Sequence, residues 1–179
     1  GISKQEMLEL KIAESLVEAE DFDLIAMGRS EGPGCYCYAN NVLKQTIKQI
    51  TDNYPYVVID NEAGLENLSR RIVQKLDLLV MVTDPSKRGL NTVRRLHELT
   101  AEMNIEYSGL ALVVNNLRRD DIPPDALKLK KEINADSLIN IRDNEQIAEL
   151  AEMGKSLILL PENNAAWKSV DQLLNTLMK

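Results

Sequence analysis

Apolar positions recur along the chain with two different spacings, and segments of the two kinds alternate. Residues 5–19 and 40–52 place apolar side chains every three or four positions, which predicts two amphipathic helices. Leu24–Met27 and Tyr56–Ile59 are short, uninterrupted apolar runs, and each of them predicts a buried strand. The first part of the chain is therefore predicted to alternate between helix and strand.

The second part of the chain continues this alternation with longer elements. The predicted strands are Leu78–Val82, Gly109–Val114 and Ser137–Ile141, and the predicted helices are 65–75, 88–103, one restarted at Pro123–Pro124, 143–153 and 164–178. Strands that are apolar on both faces and alternate with helices indicate a mainly parallel sheet with helices on both faces. Because the sequence shows no internal repeat and no linker, residues 1–179 are predicted to form a single α/β domain.

The net charge of the chain makes polyanionic binding partners unfavourable. Twenty-one basic and 28 acidic residues give a net charge of −7, which repels nucleic acids and anionic membranes. No apolar run approaches the roughly 18 residues that span a bilayer. The two cysteines, Cys35 and Cys37, are too few and too close for a secreted domain held by disulfides. We therefore expect a cytoplasmic protein with no nucleic-acid partner and no membrane partner.

Polar groups stand at the ends of the predicted strands. They are Gly28, Asp60, Thr83–Asp84, Asn115–Asn116 and Ile141–Arg142–Asp143. Parallel sheets bind ligands at the carboxyl ends of their strands, and carboxylate, amide and cationic groups suit a nucleotide with its Mg²⁺. Polar residues also end strands simply because they favour turns.

The segment from Tyr56 to Gly64 is the most informative of these strand ends. Its apolar run delivers the carboxylate of Asp60 at the strand tip, and Gly64 allows the backbone to approach a ligand closely. Carboxylates in this position commonly hold Mg²⁺, often through water. The structural alternative is that Asp60 caps a following helix.

The cysteine pair forms a second candidate site. Two thiolates one residue apart can face one metal ion, and a two-fold dimer would complete a Cys₄ site across the interface. Thiolates accept both zinc and nickel, so the metal is predicted as Zn or Ni. The Gly32-Pro33-Gly34 loop just before Cys35 favours exposure. The alternatives are two buried small side chains or a strained Cys35–Cys37 disulfide.

A third candidate is Asn115, which follows the most apolar strand. A side-chain amide offers a donor and an acceptor that match the paired edge of adenine. Asparagine also favours turns, which is the structural alternative. His97 and Trp167 are predicted to be structural, since His97 lies mid-helix without an identifiable acid–base partner.

Taken together, these segments resemble a family of accessory ATPases. The matching stretches are Met27-Gly28, Gly34-Cys35-Tyr36-Cys37, Val57 to Arg70, and Val113-Val114-Asn115. The second and third carry Cys-x-Cys after a glycine loop and Asp-x-x-Ala-Gly-x-Glu-x-Leu-x-Arg. This combination is similar to the ATPases that mature carbon monoxide dehydrogenase, which are related to the nitrogenase iron protein and to septum-site-determining ATPases.

The resemblance implies a P-loop NTPase-like three-layer sandwich that binds ATP or ADP with Mg²⁺ and assists nickel insertion into carbon monoxide dehydrogenase as its client. It implies that Asp60 is the switch II carboxylate near Mg²⁺ and that Gly64 presents its N–H to the γ-phosphate. Asn115 would contact adenine, and the loop that contains Arg142 would lie beside the base. Both cysteines would bind a metal between the protomers of a homodimer.

The chain also departs from the pattern of this family. It contains no Gly-Lys-Gly-Gly-x-Gly-Lys segment, lacks the acidic residue after the family's second strand, and has Arg142 where the family often has proline. We therefore expect the C-terminal portion of a P-loop ATPase domain, without its first strands, that is inactive alone. Two alternatives stay open: a non-enzymatic metal-bridged dimerisation module, and a nucleotide-switched partition or Fe–S carrier ATPase.

Overall fold

The structure is a computed structural model that describes residues 14–26, 53–61, 75–119 and 121–177, together with Ser3, Glu6, Met7 and Leu10. The chain divides into two compact units, Gly1–Val73 and Gln74–Lys179. The prediction of one domain over residues 1–179 stays a prediction.

The smaller unit contains an antiparallel hairpin. Strand β1 is Leu16–Glu18, strand β2 is Asp23–Ile25, and Leu16 lies opposite Ile25. The N–H of Ala19 donates to the carbonyl of Phe22 at 3.0 Å and closes the turn. The predicted helix over residues 5–19 is therefore too long: Glu6, Met7, Leu10 and Glu14 are helical, but the chain is extended from Leu16.

The predicted strand Tyr56–Ile59 is wrong. These residues form no strand and pair with none of the strands in the described part of the chain. All four side chains are exposed, and that of Val58 is 93% exposed. An apolar run becomes a buried strand only when neighbouring strands satisfy its backbone groups, and no such ladder forms here.

The larger unit contains a parallel sheet of three strands. They are β3 (Lys75–Thr83), β4 (Glu106–Leu117) and β5 (Ser137–Arg142), and they lie in the order β3-β4-β5. Val80 lies opposite Ala111, and Val113 lies opposite Ile139. The predicted parallel α/β fold is confirmed.

The described part of the larger unit contains four helices, and the local sequence favours the points at which they begin. They are α1 (Lys87–Glu102), α2 (Pro124–Glu132), α3 (Glu145–Glu152) and α4 (Ala165–Leu177), with a 3₁₀ turn at Leu157–Leu159. The Ser86 hydroxyl caps α1 by accepting the N–H of Gly89 at 3.0 Å. Pro124 opens α2, where a proline loses no hydrogen bond.

The sheet has a buried cluster on each face. On one face α1 and α2 contribute Leu90, Val93 and Leu129 to a cluster with Leu112 of β4. On the other face Leu173 of α4 packs with neighbouring side chains of β4 and β5. Residues 110–114 of β4 are all buried because both faces of this strand are covered. Because the three strands are parallel, their carboxyl ends lie at the same edge of the sheet.

Candidate functional site at the carboxyl edge of the sheet

The end of β3 is held by a network of short-range hydrogen bonds. The Thr83 hydroxyl donates to the carbonyl of Asp84 at 3.0 Å, and the Asp84 carboxylate accepts the N–H of Ser86 at 2.8 Å. Hydrogen bonds from Ser86, from its side chain first and its backbone second, lower the pKa of Asp84. Asp84 is therefore a fixed anion at the start of α1.

Gly89 allows the first turn of α1 to lie close to this strand end. A Cβ atom at position 89 would lie 2.5 Å from both Asp84 Oδ1 and Thr83 Oγ1. Because both oxygens are engaged in hydrogen bonds, neither can move away without losing one. The sequence requires glycine here for packing, and this position was not among the predicted site residues.

The end of β4 departs from regular strand geometry at the predicted asparagines. Asn115 is half-buried, and Asn116 is exposed with a φ of 57°. The pairing with β5 shifts between Val114 and Leu117, which marks an irregularity of the β-bulge type. Bulges redirect side chains and are frequent next to binding sites. The irregularity therefore sets the direction of the backbone at Asn115 and Asn116.

The end of β5 lies beside that of β4. Arg142 is the register partner of Leu117, and the N–H of Asp143 donates to the carbonyl of Leu117 at 2.9 Å. Arg142 is exposed. The structure thus brings two predicted residues, Asn115 and Arg142, to the same edge on neighbouring strands.

Beyond β5 the chain is connected to the start of α4 by side-chain amides. Asn144 caps α3, and its amide also bonds to that of Asn164, which precedes α4. Asn164 is 5% exposed, and its oxygen accepts the N–H of Ala166 at 2.8 Å. Sequence reasoning missed both asparagines as partners, although their positions just before helices are typical of capping residues.

The remaining predicted site residues lie elsewhere. Asp60 is exposed at the end of the irregular segment in the smaller unit. Gly64, Cys35 and Cys37 lie outside the described residues, so their predicted roles stay predictions. In the part of the chain that the structure describes, no three His, Cys, Asp or Glu side chains form a group that could hold a metal ion.

The two residues predicted to be structural have defined surroundings. The Nε2 atom of His97 lies 3.1 Å from the hydroxyl of Tyr107, which links α1 to β4. Trp167 is 44% exposed in the first turn of α4.

Among the described helices, none is long and apolar enough to cross a membrane.

Comparison with known proteins finds relatives that are similar to this chain in sequence. No protein-family model matches the chain. An uncharacterized ATP-binding protein of Methanocaldococcus jannaschii is 40% identical over 177 residues, which are 97% of this chain and 68% of that protein. The carbon monoxide dehydrogenase accessory protein CooC of Rhodospirillum rubrum is 31% identical over 93 residues, which are 50% of this chain and 35% of that protein.

A solved structure is similar to the chain in fold. The cell division ATPase MinD of Pyrococcus furiosus matches with a TM-score of 0.66 and 16% identity, covering 96% of this chain and 76% of that one. At this identity the match shows the fold alone. The chain spans 68% of the length of the ATP-binding protein of Methanocaldococcus jannaschii.

Proposed function

Because the chain belongs to the ATP-binding proteins of the superfamily that includes MinD, ParA and the nitrogenase iron protein, we propose that the carboxyl edge of β4 and β5 receives the base of ATP. The observation that supports this most directly is the meeting of Asn115 and Arg142 at that edge. The Asn115 amide supplies the donor and acceptor that an adenine edge requires. In this proposal the backbone after Arg142 lies beside the base.

We assign the contacts to Mg²⁺ and to the phosphates of the nucleotide to the motif that begins at Asp60. Its carboxylate holds Mg²⁺, directly or through water, and the N–H of Gly64 donates to the γ-phosphate. The exposure of Asp60 supports this role, because a ligand can reach an exposed carboxylate. The chain lacks the lysine-containing glycine loop that cradles phosphates in this superfamily. Such a loop is required for tight binding and for hydrolysis.

We further propose that the ATPase is a metallochaperone that assists nickel insertion into carbon monoxide dehydrogenase. Two features support this finer assignment: the Cys35-Tyr36-Cys37 motif and the similarity to a protein named for accessory function in that system. In this proposal two protomers of a homodimer share one Zn²⁺ or Ni²⁺ through four thiolates. Nucleotide binding then controls the distance between the protomers, and with it the metal site.

The experiment that tests the ATPase proposal uses the product of the complete open reading frame that contains this chain. Asp60→Asn removes one charge and keeps the size of the side chain, and we expect kcat for ATP hydrolysis to fall on the order of 100-fold. Asp21→Asn is the matched control, because Asp21 is exposed in the hairpin of the same unit and is expected to leave kcat unchanged. Hydrolysis by the Asp60 variant within twofold of wild type would refute the assigned role.

A second measurement concerns the 179 residues alone. Calorimetry with Mg·ATP is expected to detect no tight binding, because this chain has no lysine-containing glycine loop to surround the phosphates. A sub-micromolar dissociation constant for this chain would show that the phosphates are held by residues other than those proposed.

A further inference from the structure

Asn144 and Asn164 exchange two hydrogen bonds through their side-chain amides. Nδ2 of Asn144 donates to Oδ1 of Asn164 at 3.3 Å, and Nδ2 of Asn164 donates to Oδ1 of Asn144 at 3.2 Å. Nδ2 of Asn164 also donates to Oε1 of Gln146 at 2.7 Å. We refer to these three side chains as the amide clamp. It joins the loop after β5 to the residue before α4, across 20 positions of sequence.

Capping accounts for only part of this arrangement. A cap needs one side-chain oxygen, and Oδ1 of Asn144 provides it to the N–H of Ile147 at 3.2 Å. Oδ1 of Asn164 likewise accepts the N–H of Ala166. Serine or aspartate would cap as well as asparagine, but neither offers the Nδ2 donors that both residues use here. The donors therefore serve something other than the start of a helix.

The position of the clamp suggests what that purpose is. Asn144 lies two residues after the last residue of β5, and α4 is packed against the sheet through Leu173, which clusters with Ile139 of β5. The loop Arg142–Asn144 is thus held at one end by the Asp143–Leu117 backbone bond and at the other by a buried side chain of a packed layer. A loop fixed at both ends keeps its shape before a ligand arrives, which lowers the cost of binding.

We propose that Asn144 and Asn164 are positioning residues that hold the Arg142–Asn144 loop in the shape that receives the base of ATP. This inference rests on the proposed function, because it concerns the same edge of the sheet. Neither residue needs to touch the nucleotide. Their effect is on the base alone, since the clamp contains no group assigned to the phosphates.

The test compares a ligand that has a base with one that lacks it. Asn144→Ser and Asn164→Ser keep a capping oxygen on each helix but are too short to form the amide pair. In the product of the complete open reading frame, the dissociation constant for ATP is expected to rise about tenfold in each variant. The constant for inorganic tripolyphosphate is expected to stay unchanged. Asn175→Ser, an exposed substitution within α4, is the control and leaves both constants as in wild type.

Hydrogen exchange provides a second readout that needs no nucleotide. The Asp143 amide, which is bonded to the Leu117 carbonyl, is expected to exchange faster in both serine variants, while amides in the middle of α4 are unaffected. If a serine variant does not fold, Asn144→Asp replaces it, because it keeps the capping oxygen and puts a carboxylate oxygen, which can only accept, in place of the donor to Asn164. The same selective loss of ATP affinity is expected.

The outcomes separate this inference from the proposed function. Failure of the wild-type product to bind ATP would overturn both. Wild-type binding of ATP, together with an unchanged ratio of ATP to tripolyphosphate affinity in the variants, would overturn the positioning role alone. An equal loss of affinity for both ligands would also overturn it, since that result indicates a general structural role.

Discussion

The backbone at Asn116 provides a direct test of how the candidate site is built. Asn116 has a φ of 57° and an exposed side chain, so a substitution there loses little packing and acts mainly through the backbone. Asparagine tolerates this left-handed conformation, glycine adopts it without strain, and a β-branched residue rarely adopts it. We therefore compare Asn116→Gly with Asn116→Val.

The expected difference follows from two opposing terms. Valine in the left-handed region costs about 2 kcal/mol. Glycine avoids this cost but gives up about 0.7 kcal/mol, because it leaves the unfolded chain more flexible. The free energy of unfolding should therefore be about 1 kcal/mol lower for the Asn116→Val variant than for the Asn116→Gly variant.

Urea unfolding followed by circular dichroism measures this difference, and an unchanged m-value confirms that the two variants unfold alike. Asn134 is the matched control, since it is also exposed, with a φ of 51°, but lies before β5 at the opposite edge of the sheet. Valine at either position should destabilise the fold, whereas only valine at position 116 should also weaken ATP binding. An Asn116→Val variant as stable as Asn116→Gly would refute the reasoning.

Three further predictions concern the core, the β3 end and the cysteines. Leu129→Ala should lower the free energy of unfolding by about 3 kcal/mol, because Leu129 is 0% exposed. The control is Leu127→Ala on the same helix, which should lower it by less than about 1 kcal/mol because Leu127 is 44% exposed. Urea unfolding measures both values. Ser86→Ala should raise the pKa of Asp84 toward its ordinary value of 3.8, as NMR titration would show. Because the folded-state pKa is lowered, the contribution of Asp84 to stability is present above pH 3.8 and is lost as the pH falls through the folded-state value. The stability difference between wild type and variant should therefore shrink in acid to the part that comes from the lost α1 cap. Replacing both cysteines by serine should abolish metal binding of about one Zn²⁺ or Ni²⁺ per two chains, and one metal per monomer by elemental analysis would contradict the shared site.

The larger unit could be predicted from sequence because its signals are long and local. The run Gly109–Val114 lies within the observed strand Glu106–Leu117, and the helix predicted at 88–103 is observed at Lys87–Glu102. Each strand there has 6 or more residues, and α1 and α2 begin at residues typical of helix starts. Periodicity over many positions leaves few alternative assignments.

The smaller unit could not be predicted as well because its elements are short. Strands β1 and β2 have 3 residues each, too few for a period of two to outweigh the helical spacing that precedes them. At Tyr56–Ile59 the sequence indicated a preference for burial, but an apolar run carries no information about whether a pairing partner is available. In both places tertiary context overrides the local pattern.

The candidate site was predictable where chemistry sits at a strand end and not where it depends on distant contacts. The positions of Asn115 and Arg142 at strand ends were predicted from the apolar runs that precede them, and their roles toward a nucleotide stay predictions. The amide pair of Asn144 and Asn164 was not, because residues 20 positions apart have no local pattern in common. The φ of Asn116 was also not predicted, since asparagine is compatible with both regular and left-handed backbone.

The order of the three strands in the sheet also bears on how the larger unit folds. Each strand pairs with the next one along the chain, and β4 pairs on both sides, with Val80 opposite Ala111 and Val113 opposite Ile139. Pairing between consecutive strands keeps the closing loops short, which favours rapid folding for a parallel sheet. Since both pairings of this sheet include β4, we expect its buried residues to be ordered in the folding transition state. A truncation there, such as Leu112→Ala, should slow folding, whereas loss of the α4 cap should mainly accelerate unfolding.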